Sequence, residues 1–122
     1  MCLSAIDRME TVPRSRAIVA WKIFEEREGY LELPYYGRGE PYFSGKMYTA
    51  RRERLKVWRR KYYMSGWHAL ATRQTAKKWI SSHQFGIVRE VLLWGRIVHG
   101  RQEGWRAVVG KYMEILPVKA AK

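Results

Sequence analysis

Residues 51–63, RRERLKVWRRKYY, hold the side chains best able to do chemistry on an anion. Arg51, Arg52, Arg54, Lys56, Arg59, Arg60 and Lys61 stand against Glu53 alone, a local net of +6. Trp58, Tyr62 and Tyr63 are interleaved with them. Cationic groups neutralise phosphates, and flat rings give bases a surface to stack on. Arginine also grips phosphate through two parallel hydrogen bonds, which lysine cannot do. Arg51, Arg52, Arg54, Trp58, Arg59, Arg60, Lys61 and Tyr62 are therefore the first candidate set for binding nucleic acid, preferably single-stranded, or a nucleotide. The competing reading is a solvated basic helix with Leu55, Trp58 and Tyr62 as core anchors, or an extended loop. Arg96, Arg101 and Arg106 fall in a later hairpin pattern. They form a second candidate anion site, or else line the wet face of a sheet.

Covalent and metal chemistry find less support. His68, His83 and His99 are the only histidines and Cys2 is the only thiol; none lies at a metal-ligand spacing. No metal and no cofactor is expected. Removal of Met1 would leave Cys2 as an N-terminal nucleophile with its own α-amine as base. The simpler reading is a small residue after the start codon. Asp7 is the only aspartate, so a Ser-His-Asp set is not suggested and a carboxylate-rich two-metal site is disfavoured. Neither a P-loop nor a G-x-G-x-x-G occurs. No residue is assigned as catalytic.

The whole chain repeats the bias of residues 51–63. Lys plus Arg is 24 and Asp plus Glu is 11 in 122 residues, giving +13 and a pI near 10.2. Such an excess repels itself unless an anion or an acidic partner relieves it. The partner classes are nucleic acid, a nucleotide, or an acidic protein surface. Membrane is not expected, because no run approaches the ~18 apolar residues of a span. The N-terminal stretch lacks the basic and apolar regions of a signal peptide, and a lone cysteine implies no oxidising compartment. A cytoplasmic setting is expected. The oligomeric state is not legible.

These candidate residues need elements to position them. The length suits one domain. Residues 1–14 read as an entry arm ending at Pro13. Residues 17–24 are apolar on both faces at period two and predict a strand covered on both sides. A turn at Arg27-Glu28-Gly29 leads to a short strand, YLEL, and KMYTA predicts another. Thr72 caps a helix over about 72–83, with Ala76, Trp79, Ile80 and His83 on one face. Residues 87–100 predict a long strand bulged at Gly95, and residues 100–104 a hairpin loop. The return strand places Trp105, Ala107, Val109, Met113 and Ile115 on one face, and residues 117–122 form a basic tail. Trp21, Trp79, Trp94 and Trp105 are expected in the core, and Trp58 and Trp67 on a partner surface. The sum is an α+β domain, a small mostly antiparallel sheet with one amphipathic helix.

Four short patterns carry a resemblance: Gly66-Trp67-His68-Ala69, Thr72 to Ala76, Trp94-Gly95-Arg96-Ile97, and Gly104-Trp105-Arg106-Ala107. Together they resemble a loose class of short phage and prophage proteins of uncharacterised activity, across less than half of the chain. The resemblance implies a phage origin, a host-cytoplasm location and, by association, a role against bacterial defences. It implies no chemistry. Three functions follow as expectations. The first is a non-catalytic binding protein for an anionic partner. The second is a small enzyme on a phosphorylated or nucleic-acid substrate, using Cys2 or His68. The third is a virion or assembly protein.

Overall fold

The computed structural model describes residues 3–34, 40–50, 54–57 and 61–118. In chain order the strands are β1 (Ala5–Val12), β2 (Ile18–Arg27), β3 (Tyr30–Glu32), β4 (Met47–Thr49), β5 (Arg54–Val57), β6 (Lys61–Met64) and β7 (Trp67–Leu70). Helix α1 (Arg73–His83) follows, then β8 (Ile87–Gln102) and β9 (Trp105–Ile115). All pairings are antiparallel. The architecture is thus a mostly antiparallel sheet with a single helix among the described residues, and strand dominates it.

The long hairpin β8–β9 is the spine. Glu103 and Gly104 form its turn, with φ of 53° and 81°, the left-handed pair that matches the twist of a two-residue hairpin. Pairing extends to Arg101↔Arg106 and Gln102↔Trp105, so the expected five-residue loop is mostly strand. The free edge of β8 takes β2 along residues 87–93 and β1 along residues 95–101. The free edge of β9 takes β7 along residues 107–110 and β4 along residues 112–114. A single pair, Trp21↔Leu70, joins β2 to β7 and closes β8, β2, β7 and β9 into a ring. The expected entry arm is therefore wrong for residues 5–12. β8 is longer than β2 can cover, and β1 satisfies the remaining backbone groups.

Two apolar clusters lie on opposite faces of these strands. Ala20, Phe24, Ala69, Val91, Leu93, Ile97, Val108, Met113 and Ile115 face one way with Leu31 and Tyr42. Ile23, Leu70, Val98, Ala107 and Val109 face the other way, under Ala76 and Trp79 of α1, together with Leu3 and Tyr63. The two-sided apolar pattern of β2 is explained by this layering. The one-sided reading of β9 is overturned: Ala107 and Val109 join the helix-side cluster, whereas Met113 and Ile115 join the other. The alternation breaks because a bulge shifts the register opposite Trp94 to Ile97.

α1 matches its sequence signals. The Thr72 hydroxyl accepts the Thr75 N–H at 3.1 Å, and Gln84 ends the helix in the left-handed region at φ 58°. Arg73, Lys77 and Lys78 are exposed, while Ala76 and Trp79 are buried.

Candidate anion-binding site

Gly95 creates the feature on which the site is built. Its φ of 81° is costly for any residue with a side chain. A Cβ there would also meet the Tyr112 ring at 2.7 Å. The pairing Trp94↔Tyr112 resumes only at Ile97↔Gly110, so Gly95 and Arg96 face Lys111 alone. This is a β-bulge, which re-aims the side chains beside it. Arg96 and Lys111 both turn to the wall of one cavity of about 140 Å³, with Ala50, Met64, Ser65, Val109 and Gly110.

The backbone packs tightly along this wall. A Cβ on Gly66 would lie 2.6 Å from the Gly110 carbonyl oxygen, so only glycine permits this approach of the β7 start to β9. The Ala50 N–H donates to the Lys111 carbonyl at 2.9 Å and fixes the chain leaving β4. Arg96 and Lys111 are both exposed, and neither forms an ion pair among the described residues. The Lys111 ammonium sits 5.2 Å from the Tyr112 ring centroid. Two cations thus line one small cavity, and no carboxylate of the described residues lines it with them.

The basic segment starts and ends at this wall. Ala50 precedes Arg51, and Met64 and Ser65 follow Tyr63. Within the segment β5 and β6 pair from Arg54↔Met64 to Val57↔Lys61, so the described part is a hairpin and the helix and loop readings are both overturned. Alternating apolar and basic residues on a two-stranded ribbon mimic helical spacing over so short a run. Arg51, Arg52, Trp58, Arg59 and Arg60 lie outside the described residues, as do the side chains of Arg54 and Lys61. Tyr62 is 46% exposed. Tyr63 on the opposite face is buried.

The second candidate set does not converge. Arg101 and Arg106 are cross-strand neighbours near the hairpin turn, and Arg101 reaches Asp7 at 4.0 Å. Arg96 lies roughly 16 Å back along β8 at the usual strand rise. It belongs with Lys111, a residue no sequence motif singled out. The Gly95 bulge was legible in the sequence, but the partner opposite it depends on register.

Trp67 is not a partner surface. Its ring meets Tyr42 edge-on at 5.7 Å and Tyr48 at 6.1 Å, and its indole N–H donates to the Tyr48 carbonyl at 3.2 Å. Trp79 and Trp94 are buried, and Trp21 and Trp105 are partly buried.

His68 holds both ring nitrogens in structural bonds. Nδ1–H donates to the Gly66 carbonyl at 3.1 Å, and Nε2 accepts the Tyr63 hydroxyl at 2.7 Å. That hydroxyl oxygen in turn accepts the Leu3 N–H at 2.9 Å. Burial, and then the charge of Lys22, push the imidazole down to about 3, so it is neutral at ordinary pH. The Lys22 ammonium donates to the His68 carbonyl, and burial pulls it down to about 8. No group of three metal-ligating side chains occurs among the described residues. His99 pairs with Glu10 and His83 stacks on Trp79 at 3.8 Å, so the three histidines serve separate places.

Comparison with family models, curated proteins and solved structures found no match for this chain.

Proposed function

We propose that the protein binds nucleic acid, in single-stranded form, without catalysing a reaction on it. The observation that carries this reading is the meeting of two uncompensated cations, Arg96 and Lys111, at the wall where the basic aromatic segment begins and ends. A groove of like charge beside flat rings suits a strand whose phosphates and bases are both accessible. The cavity, at about 140 Å³, is smaller than the roughly 300–1,000 Å³ of pockets that enclose a drug-sized ligand. That favours an extended strand crossing the surface over a free nucleotide swallowed whole. A binding role is further supported by His68, whose nitrogens are committed to Tyr63 and Gly66. In the phage setting suggested by residues 66–116, such a protein would compete with a host defence complex for its nucleic acid.

The test is charge reversal with an intact fold. Arg59→Glu combined with Arg60→Glu should weaken binding of a single-stranded oligonucleotide at least tenfold, on the order of the loss of one or two charge-assisted contacts. Wild-type affinity should fall with salt at a logarithmic slope of about −0.7 per phosphate neutralised. Unchanged affinity in the double variant would sink residues 51–63 as the surface. Binding of an acidic protein but of no oligonucleotide would replace the nucleic-acid reading with a protein partner.

A further inference from the structure

We infer that the cavity at the β8–β9 bulge is a seat for a terminal phosphate monoester, the end of a nucleic-acid strand. This rests on the nucleic-acid reading for the source of the phosphate, but the cavity argument stands separately. The bulge sets Arg96 and Lys111 against one another across the hairpin, and both line the same cavity. Ser65 adds a hydroxyl to the wall, and Gly110 adds backbone. The guanidinium offers a two-pronged grip, the ammonium a point charge, and the hydroxyl a neutral donor. This is a set of donors around a small volume.

Charge and size select the monoester. A monoester carries about −1.5 to −2 at pH 7, which matches two cations. An internal diester carries less charge and must bring a sugar on each side. A cavity of about 140 Å³ has room for one group entering with one substituent trailing out. The trailing strand leaves past Met64 and Ser65 toward β6, where Tyr62 is exposed. Among the described residues no carboxylate pairs with Arg96 or Lys111. Glu114, three positions beyond Lys111, is engaged with Arg14 at 2.7 Å.

The experiment compares one labelled single-stranded DNA oligonucleotide in three forms: 5′-phosphorylated, 3′-phosphorylated, and with hydroxyls at both ends. The full chain should bind one phosphorylated form at least about tenfold tighter than the hydroxyl form, as for a gained charge-assisted contact. Arg96→Gln and Lys111→Gln should each erase that preference, so that each variant binds the phosphorylated and hydroxyl forms alike. Equal affinity for all three forms in the wild type would overturn the seat and leave the nucleic-acid reading standing. If no oligonucleotide binds, inorganic phosphate decides. Saturable amide shifts at Ser65 and Gly110 that Arg96→Gln abolishes would keep the seat and discard the nucleic acid. Absence of those shifts would discard both.

Discussion

At the scale of single residues the polar groups divide into those that hold the fold and those left to a partner. His68 belongs to the first kind. Its tautomer is set by donation to Gly66, and its remaining lone pair takes the Tyr63 proton. Protonation would add a charge that burial and Lys22 both oppose. The imidazole pKa drops from 6.5 unfolded to about 3 folded. Its stabilising effect is complete above pH 6.5 and is lost progressively as pH falls toward 3, because the unfolded chain binds the extra proton. Denaturant melts from pH 7 to 5 should therefore show wild-type stability falling more steeply than that of His68→Gln. Parallel curves would mean that His68 titrates alike in both states. The expectation that His68 drives a reaction finds no support in this arrangement, since an imidazole held neutral by two structural bonds is poorly placed to shuttle protons; Cys2 lies outside the described residues. Arg96 and Lys111 meet across the bulge without an ion pair among the described residues, and they are the pair on which the proposed binding role rests.

At the scale of elements, α1 and the bulge illustrate what a sequence can and cannot disclose. The helix was legible to within a residue, because Thr72 supplies a cap and the apolar residues recur at helical spacing. Trp79, 1% exposed, fixes it to the sheet. Trp79→Ala should cost about 3–5 kcal/mol in denaturant unfolding, as for other buried aromatic truncations. A loss below about 1 kcal/mol would show that the helix does not depend on that contact. β8, β9 and β4 were legible from alternation and turn residues. β1 was not, because Ala5–Val12 carries Asp7, Arg8 and Glu10 and mixes polar residues on both faces. Only the overlong edge of β8 calls it into the sheet, and that is a long-range fact. The basic hairpin was missed for a related reason: a four-residue strand of alternating basic and apolar residues leaves a periodicity too short to tell from a helix. The Gly95 bulge was foreseen as a kink, but its consequence for Lys111 required the register of the opposite strand.

At the scale of the whole molecule, an excess of +13 must be held together by a ring of strands. The ring is uneven. β8 and β9 pair along most of their length, whereas β2 and β7 meet at Trp21↔Leu70 alone. Beside that pair Lys22 reaches across to the His68 carbonyl, so a side chain takes over where backbone pairing stops. Its pKa of about 8 in the fold against 10.5 unfolded means that the unfolded chain binds more protons between those values. Stability should therefore rise as pH goes from 8 to 10.5. Lys22→Met should flatten that rise in thermal melts, and an unchanged pH profile would refute the role of Lys22. The same junction has a mechanical consequence. A ring closed by one rung and a tethered ammonium is a clasp, and a clasp is where such a structure parts first. Release there would part β7 from β2 and leave the β8–β9 pairing intact. The ammonium that closes the clasp then meets water, where it regains its ordinary basicity and resists returning. The junction is thus held in part by a half-buried ammonium, and alkaline conditions, which neutralise it, favour the closed ring.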